Sequence, residues 1–351
     1  TIRDCGLAYR FTGRVEFARH AAAILDAYAT RYGTYKLHDA DGLPNVRGGH
    51  IMAQTLDEST WLIPAAWGYA LVRETIPSAT RKHIEQDLFV AAAGVIRADR
   101  RGIHNIQCWK NSAVAMAGYV SGNTALVHEA IDDAERGFRV QMEKGVTADG
   151  LWYEGSLGYH AYTMDAVWPL TEAARHNGLD LYSDRYRTLW DAPLALALPN
   201  GDSPGFNDAA GGNVLGLAHL YELAYARWKA AEYGHVVAGS ERSSLHALLY
   251  GVESAPAGPM IPTASALLRD AGFAMLRGGG TAAAVRFGRH GGGHGHPDKL
   301  NLVTFAGGVS WGLDPGSINY GVPLQREWYR TTIAHNTVTD DEAAEIGRAH
   351  V

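Results

Sequence analysis

The feature that most constrains this 351-residue chain is a change of hydrophobic period near residue 260. Up to about residue 250 the apolar residues recur at helical spacing. Phe17, Ala21, Ile24, Leu25, Tyr28 and Tyr32 share one helical face, with Gly33 as a stop. Ile84, Leu88, Ala91, Ala92 and Val95 repeat the pattern after Pro77 and Ser78. Further helices are predicted near 56–74, 107–120, 124–143, 162–176, 184–197 and 214–233, separated by turn-forming residues such as Asp149-Gly150 and Asn177-Gly178. So many helices in succession suggest hairpins arranged as a layer or toroid. After about residue 265 the segments 271–276, 281–287, 300–305 and 331–339 are short, β-branched or alternating, and divided by glycine, which predicts strands. The expected organisation is therefore a helical domain over 1–250, a Pro/Ala/Gly-rich linker over 251–265 and an antiparallel β domain over 266–351. A β-sandwich takes about 100 residues, so the second domain is expected to be cut short at Val351.

Composition narrows the partners. The net charge is -6 with His neutral, which gives no basic excess of the kind that nucleic-acid binding requires. A polyanionic substrate remains compatible, because a cleft of Arg, Lys and His can be positive on an acidic protein. Cys5 and Cys108 are too few and too far apart for a metal motif or a disulfide framework, and are expected as free thiols with Cys108 buried. No apolar run is long enough to cross a membrane. The chain opens at Thr1 without a signal-like stretch, so the sequence names no compartment, and it names no oligomeric state.

The densest chemistry lies in the Gly/His run from His290 to His296, which leads into an apolar stretch. Glycines allow a tight backbone and leave imidazoles unshielded. In an extended segment His294 and His296 would face the same side. Asp314 and His335 follow, so two His and one Asp make a nitrogen/oxygen set suited to zinc, with a further His left for chemistry. Two helical-region stretches also carry unusual polar density. Residues 102–111 stand at a helix entrance and include His104, Asn105 and Trp109; residues 149–162 form a loop leading into a helix and include Glu154, Tyr159 and His160. Read singly, His104 and Asn105 are also good helix caps, and Tyr159 a good packing aromatic.

Taken in order, these motifs resemble the heparinase II/III-like polysaccharide lyases, and within them the oligoalginate-lyase branch. The stretches that carry the resemblance are 104–111, 149–160, His294-Gly295-His296, Asp314-Pro315-Gly316 and 328–338, supported by 7–13 and 198–208. The resemblance implies an incomplete (α/α) toroid followed by an antiparallel β-sandwich. It implies β-elimination on uronate-containing oligo- or polysaccharides, alginate-like or glycosaminoglycan-like, with exo action. An acidic polysaccharide is then the partner, with no nucleic acid and no membrane. Such a reaction needs a base for the C5 proton, an acid for the O4 leaving group and a group that neutralises the carboxylate. The resemblance gives Tyr159 as acid, His294 as base, and His104 or Asn105 as the carboxylate holder. It gives His296, Asp314 and His335 as ligands of a structural zinc, with no organic cofactor. Arg330, Tyr320, Trp328 and Trp109 are the candidates for the sugar-binding wall. Three other functions fit the composition: a zinc-dependent hydrolase using the same cluster, a glycoside hydrolase drawing two carboxylates from Asp149, Glu154, Asp202 and Asp208, and a non-catalytic glycan binder.

Overall fold

The computed structural model describes residues 1–209, 211–289 and 292–339. His290, Gly291 and residues 340–351 of the expected β domain lie outside the described residues. The chain divides into two units, 1–145 with 165–182, and 146–164 with 183–351.

The first unit is helical. Helices α1 (Ile2–Thr12), α2 (Val15–Tyr32), α3 (Thr55–Val72) and α4 (Ser78–Ile84) come first. A π-helical turn over Glu85–Val90 then runs into α5 (Ala91–Ala98), followed by α6 (Asn105–Ser121), α7 (Thr124–Asp132) and α8 (Phe138–Gly145). Helices α1 and α3 cross closely. A Cβ on Gly6 would come within 3.0 Å of the Gly68 carbonyl oxygen, and one on Gly68 within 2.7 Å of the Arg3 backbone. Helix α6 is buried on several sides and carries polar side chains inward, each needing a partner. Gln107 Nε2 donates to Asn111 Oδ1 at 2.8 Å, Asn111 Nδ2 donates to the Arg136 carbonyl at 2.7 Å, and Ser112 donates to the Ala166 carbonyl. Cys5 and Cys108 are free thiols and Cys108 is buried. The single helix expected over 124–143 is broken. Asp133 Oδ1 accepts the backbone N–H groups of Glu135 and Arg136, an Asx turn that competes with helix continuation.

Helix α9 (Leu157–His176) begins in the second unit and ends in the first. The second unit also holds α10 (Asp184–Leu196), α11 (Ala218–Trp228), α12 (Ala231–Ala238) and α13 (Leu245–Tyr250). The helix expected over 214–233 breaks at Lys229, whose φ of 56° ends α11 in the left-handed region. The strands are β1 (Ala266–Leu268), β2 (Phe273–Gly278), β3 (Thr281–Arg286), β4 (Asn301–Ala306) and β5 (Val309–Trp311), an antiparallel meander in chain order. The predicted switch from helix to antiparallel sheet is thus present. One face is apolar: Phe273, Met275, Ala282, Ala284, Val303 and Phe305 pack with Leu151, Leu196, Leu198 and Phe206. Continuing the same inward rows, Arg286 pairs in register with Asn301, and both are buried. The inner face of the sheet therefore changes from apolar to polar at one end. The strand expected over 331–339 is not formed. Thr332–Ala334 is a 3₁₀ turn, and the Asn301 and Asn336 side chains take backbone groups that a ladder would need.

Candidate active site

The site in the second unit is assembled by three loops joined through buried side chains. Asn207 sits at φ 62°, a left-handed conformation that Asn tolerates better than most residues. Its fully buried amide donates to the Gly155 carbonyl at 2.7 Å and accepts the His296 N–H at 3.0 Å. Ser156 donates to the Asp208 carbonyl at 2.8 Å, and the Asp208 N–H donates to the His294 carbonyl at 3.1 Å. Residues 155–156, 207–208 and 294–296 are thereby fixed together.

The centre of this arrangement is Asp208, which sequence reasoning had placed only among four available carboxylates. Its Oδ2 lies 2.9 Å from His294 Nδ1 and 2.8 Å from the Tyr320 hydroxyl. Its Oδ1 lies 2.9 Å from His296 Nε2 and 3.1 Å from Gln325 Nε2. Burial alone would raise its pKa, but the hydrogen bonds from His294, His296 and Tyr320 outweigh it and hold the carboxyl well below the usual range. His294 and His296 do converge on one point. They do so through a 3₁₀ turn at Gly292–His294, not through the strand alternation expected from their spacing.

Tyr159 stacks face to face on His294, with ring centroids 3.4 Å apart and planes 18° apart. Its hydroxyl is 2.9 Å from that of Tyr320. Tyr320 has one proton, donated to Asp208, so the Tyr159 hydroxyl is the donor of this pair. Burial raises the Tyr159 pKa, the nearby Asp208 and Glu154 adding to it against the hydrogen bond with Tyr320; the phenol is therefore neutral at pH 7. His294 Nε2 lies 3.6 Å from Glu154 Oε2. His160, the neighbour of Tyr159, has a structural place: Nδ1 accepts the Trp152 N–H, Nε2 donates to the Leu189 carbonyl, and burial lowers its pKa to about 4.

The remaining candidates divide. Arg330 Nη2 donates to the carbonyls of Gly293 and Gly295 at 3.0 and 2.9 Å, bracing the glycine turn that carries His294. Trp328 is 45% exposed and Tyr320 51% exposed, so both keep open surface. His104, Asn105 and Trp109 belong to the first unit, at the start of α6. His104 is the N-cap, its Nδ1 accepting the Ile106 N–H at 3.2 Å, and its own N–H donates to Gln141 at 3.1 Å.

A second cluster occupies the polar end of the sheet. Asp298, Asp314 and His335 bring ligand atoms within 4.8 Å of one another. His335 Nδ1 is 2.9 Å from Asp314 Oδ2, which Asn301 also contacts, and the Gly316 N–H donates to Asp314 Oδ1 at 2.7 Å. The His296 ring centroid is 5.3 Å from that of His335. Among the described residues, both Asp298 oxygens, His335 Nε2 and His296 Nδ1 are buried without a hydrogen-bond partner. Burial raises the Asp298 pKa, against the pull of Arg286 at 3.4 Å. Imidazole nitrogens and carboxylate oxygens are ligand types that zinc accepts. Of the residues expected for this set, Asp314 and His335 fall in the group; His296 lies beside it, and Asp298, two residues beyond His296, takes the third place.

This combination of a helical scaffold, an antiparallel sheet and a Tyr/His site has relatives among lyases. The alginate lyase family profile matches residues 1–197, and the heparinase II/III-like C-terminal profile matches residues 260–348. The chain belongs to the alginate lyase family. It is 27% identical to an alginate lyase of Stenotrophomonas maltophilia over 98% of this chain and 52% of that protein. It is 25% identical to an exo-oligoalginate lyase of Saccharophagus degradans over 97% of this chain and 51% of that protein. The chain thus spans about half the length of these relatives. A solved heparinase III superposes with a TM-score of 0.68 at 19% identity, covering 98% of this chain and 55% of that one, which shows a heparinase III-like fold.

Proposed function

We propose that this chain carries the active site of a polysaccharide lyase that cleaves uronate-containing, alginate-type oligosaccharides by β-elimination, acting from a chain end. The observation that carries this reading is the stacked Tyr159–His294 pair. Elimination takes a proton from C5 and returns one to O4, two positions one atom apart on the same sugar. A neutral phenol beside an imidazole supplies a donor and an acceptor at that spacing. His294 takes the C5 proton and Tyr159 protonates the leaving oxygen. Trp328 and Tyr320 offer surface to the sugar.

The second cluster fits a zinc held by His296, Asp314 and His335 with Asp298 beside them. When bound, such an ion adds to folding free energy and pins the loop that bears His294. The burial of His296, Asp298 and His335 supports a structural ion over a hydrolytic one, since a catalytic zinc keeps an open position for water. A carboxylate-pair hydrolase is disfavoured because Asp208 already accepts from four donors.

The test is a panel of polymannuronate, polyguluronate and heparan-type oligosaccharides followed by the ultraviolet absorbance of the unsaturated product. Absorbance that grows with release of single sugars is expected. Cleavage without absorbance would make the protein a hydrolase. Tyr159→Phe, which keeps the ring, should lower turnover about 10²–10⁴-fold with little change in melting temperature; a near wild-type rate would move the acid elsewhere.

A further inference from the structure

We propose that Asp208 is a positioning residue that sets opposite tautomers on His294 and His296, and so makes one histidine a base and the other a metal ligand. The proposal rests on the lyase reading for His294, and its test reads tautomers without needing turnover. The two imidazoles present different nitrogens to the same carboxylate: His294 offers Nδ1 to Oδ2, and His296 offers Nε2 to Oδ1, each at 2.9 Å. The other two partners of Asp208 are fixed donors. Tyr320 donates its hydroxyl to Oδ2. Gln325 uses its Oε1 to accept the Ile318 N–H at 2.9 Å, which turns its Nε2 to Oδ1.

A carboxylate offers only acceptors, so each histidine must donate the nitrogen that faces it. The proton on His294 then sits on Nδ1, within hydrogen-bond distance of Asp208, and Nε2, 3.6 Å from Glu154 Oε2 and outside that distance, keeps its lone pair. The proton on His296 sits on Nε2 and leaves Nδ1 with a lone pair. Nδ1 of His296 is buried without a partner among the described residues, and its ring lies beside that of His335. Asp208 is itself held rigidly, by the Ser156 hydroxyl on its carbonyl and by the His294 carbonyl on its N–H. One buried side chain thus orients both the proton-transfer site and the metal-binding corner.

The experiment is two-bond ¹H–¹⁵N correlation spectroscopy of the ¹⁵N-histidine-labelled, zinc-loaded protein, with His294→Gln and His296→Gln used to assign the two rings. The wild-type protein should show His294 protonated at Nδ1 and His296 protonated at Nε2. Asp208→Asn is nearly isosteric but places an amide donor against a ring N–H. It should reverse the tautomer of at least one ring, lower kcat on the order of 10²–10⁴-fold with KM changed far less, and weaken zinc retention about 10–100-fold. Tyr320→Phe and Gln325→Leu remove the other two donors and should leave both tautomers in place. Wild-type spectra with His294 protonated at Nε2, or with both rings protonated at the same atom, overturn the proposal whether or not Asp208→Asn folds. So does an Asp208→Asn protein that keeps both tautomers. If the tautomers are as stated but no uronate polymer is cleaved, the lyase reading fails and the positioning role stands.

Discussion

Two buried carboxylate–cation pairs, one in each unit, show opposite electrostatics. In the first unit Asp99 accepts from the Thr55 hydroxyl at 2.7 Å and Arg101 Nε at 3.1 Å, with Lys110 Nζ 3.3 Å away. Burial works against its charge, yet Thr55, Lys110 and Arg101 together hold its carboxyl below the usual range. In the second unit Asp298 faces Arg286 at 3.4 Å, and its carboxylate has no hydrogen bond among the described residues. There burial prevails and the carboxyl is raised. Both are shielded from solvent, but Asp298 lies deeper among protein atoms, so burial opposes its charge more strongly. The number of donors adds to the difference. A carboxylate already saturated by protein donors is a structural group, while one left bare in a buried site is available to a cation.

The largest effect should come from breaking the saturated pair. Asp99→Ala leaves Lys110 buried without its carboxylate and should cost about 3–5 kcal/mol of unfolding free energy, measured by urea titration, with zinc content unchanged. A loss below about 1 kcal/mol, the range of an exposed pair, would remove the contrast. A smaller and different effect is expected at Asp298. Asp298→Asn should weaken zinc retention about 10–100-fold, and the chelator-treated protein should also lose stability, because the buried Arg286 guanidinium is left without its carboxylate. Metal analysis and thermal melts of both forms check this, and an unchanged zinc content would take Asp298 out of the donor set. The smallest effect is a change of slope with pH. The Asp99 contribution is complete above the unfolded carboxyl value of about 3.9 and is lost as pH falls through the lower folded value. Asp99→Asn should therefore flatten the acid limb of stability. An identical limb in both proteins would place the acid sensitivity elsewhere.

What the sequence made legible follows from locality. Helix α2, the helical cap at His104 and the period switch near residue 260 each depend on residues a few positions apart, so spacing and turn-forming residues suffice to find them. The His294/His296 pair was visible for the same reason. The role of Asp208 was not, because its four partners come from residues 294, 296, 320 and 325, and no local pattern marks a carboxylate that collects distant donors. Asp298 was within reach: it follows His296 by the same step that separates His294 from His296. Its importance lies in the donors it lacks, which only packing reveals. Residues 331–339 have strand-like composition, but composition does not record that Asn301 and Asn336 divert the backbone groups. The charge of Arg330 is visible in sequence, but its two glycine carbonyl partners are not.

The pairing of β3 with β4 has a consequence for assembly. Side chains alternate along a strand, so a slip of one residue in this hairpin would turn Arg286 or Asn301 outward and bring a different neighbour in. Asp298 would lose the Arg286 guanidinium, and Asp314 would lose the Asn301 amide. The misregistered hairpin could still bury Ala and Val, because the apolar rows are permissive. It could not complete the polar corner. That corner therefore acts as a proofreading device for the sheet, and zinc uptake during refolding should lag the gain of β-structure, reporting the moment at which the correct register is reached.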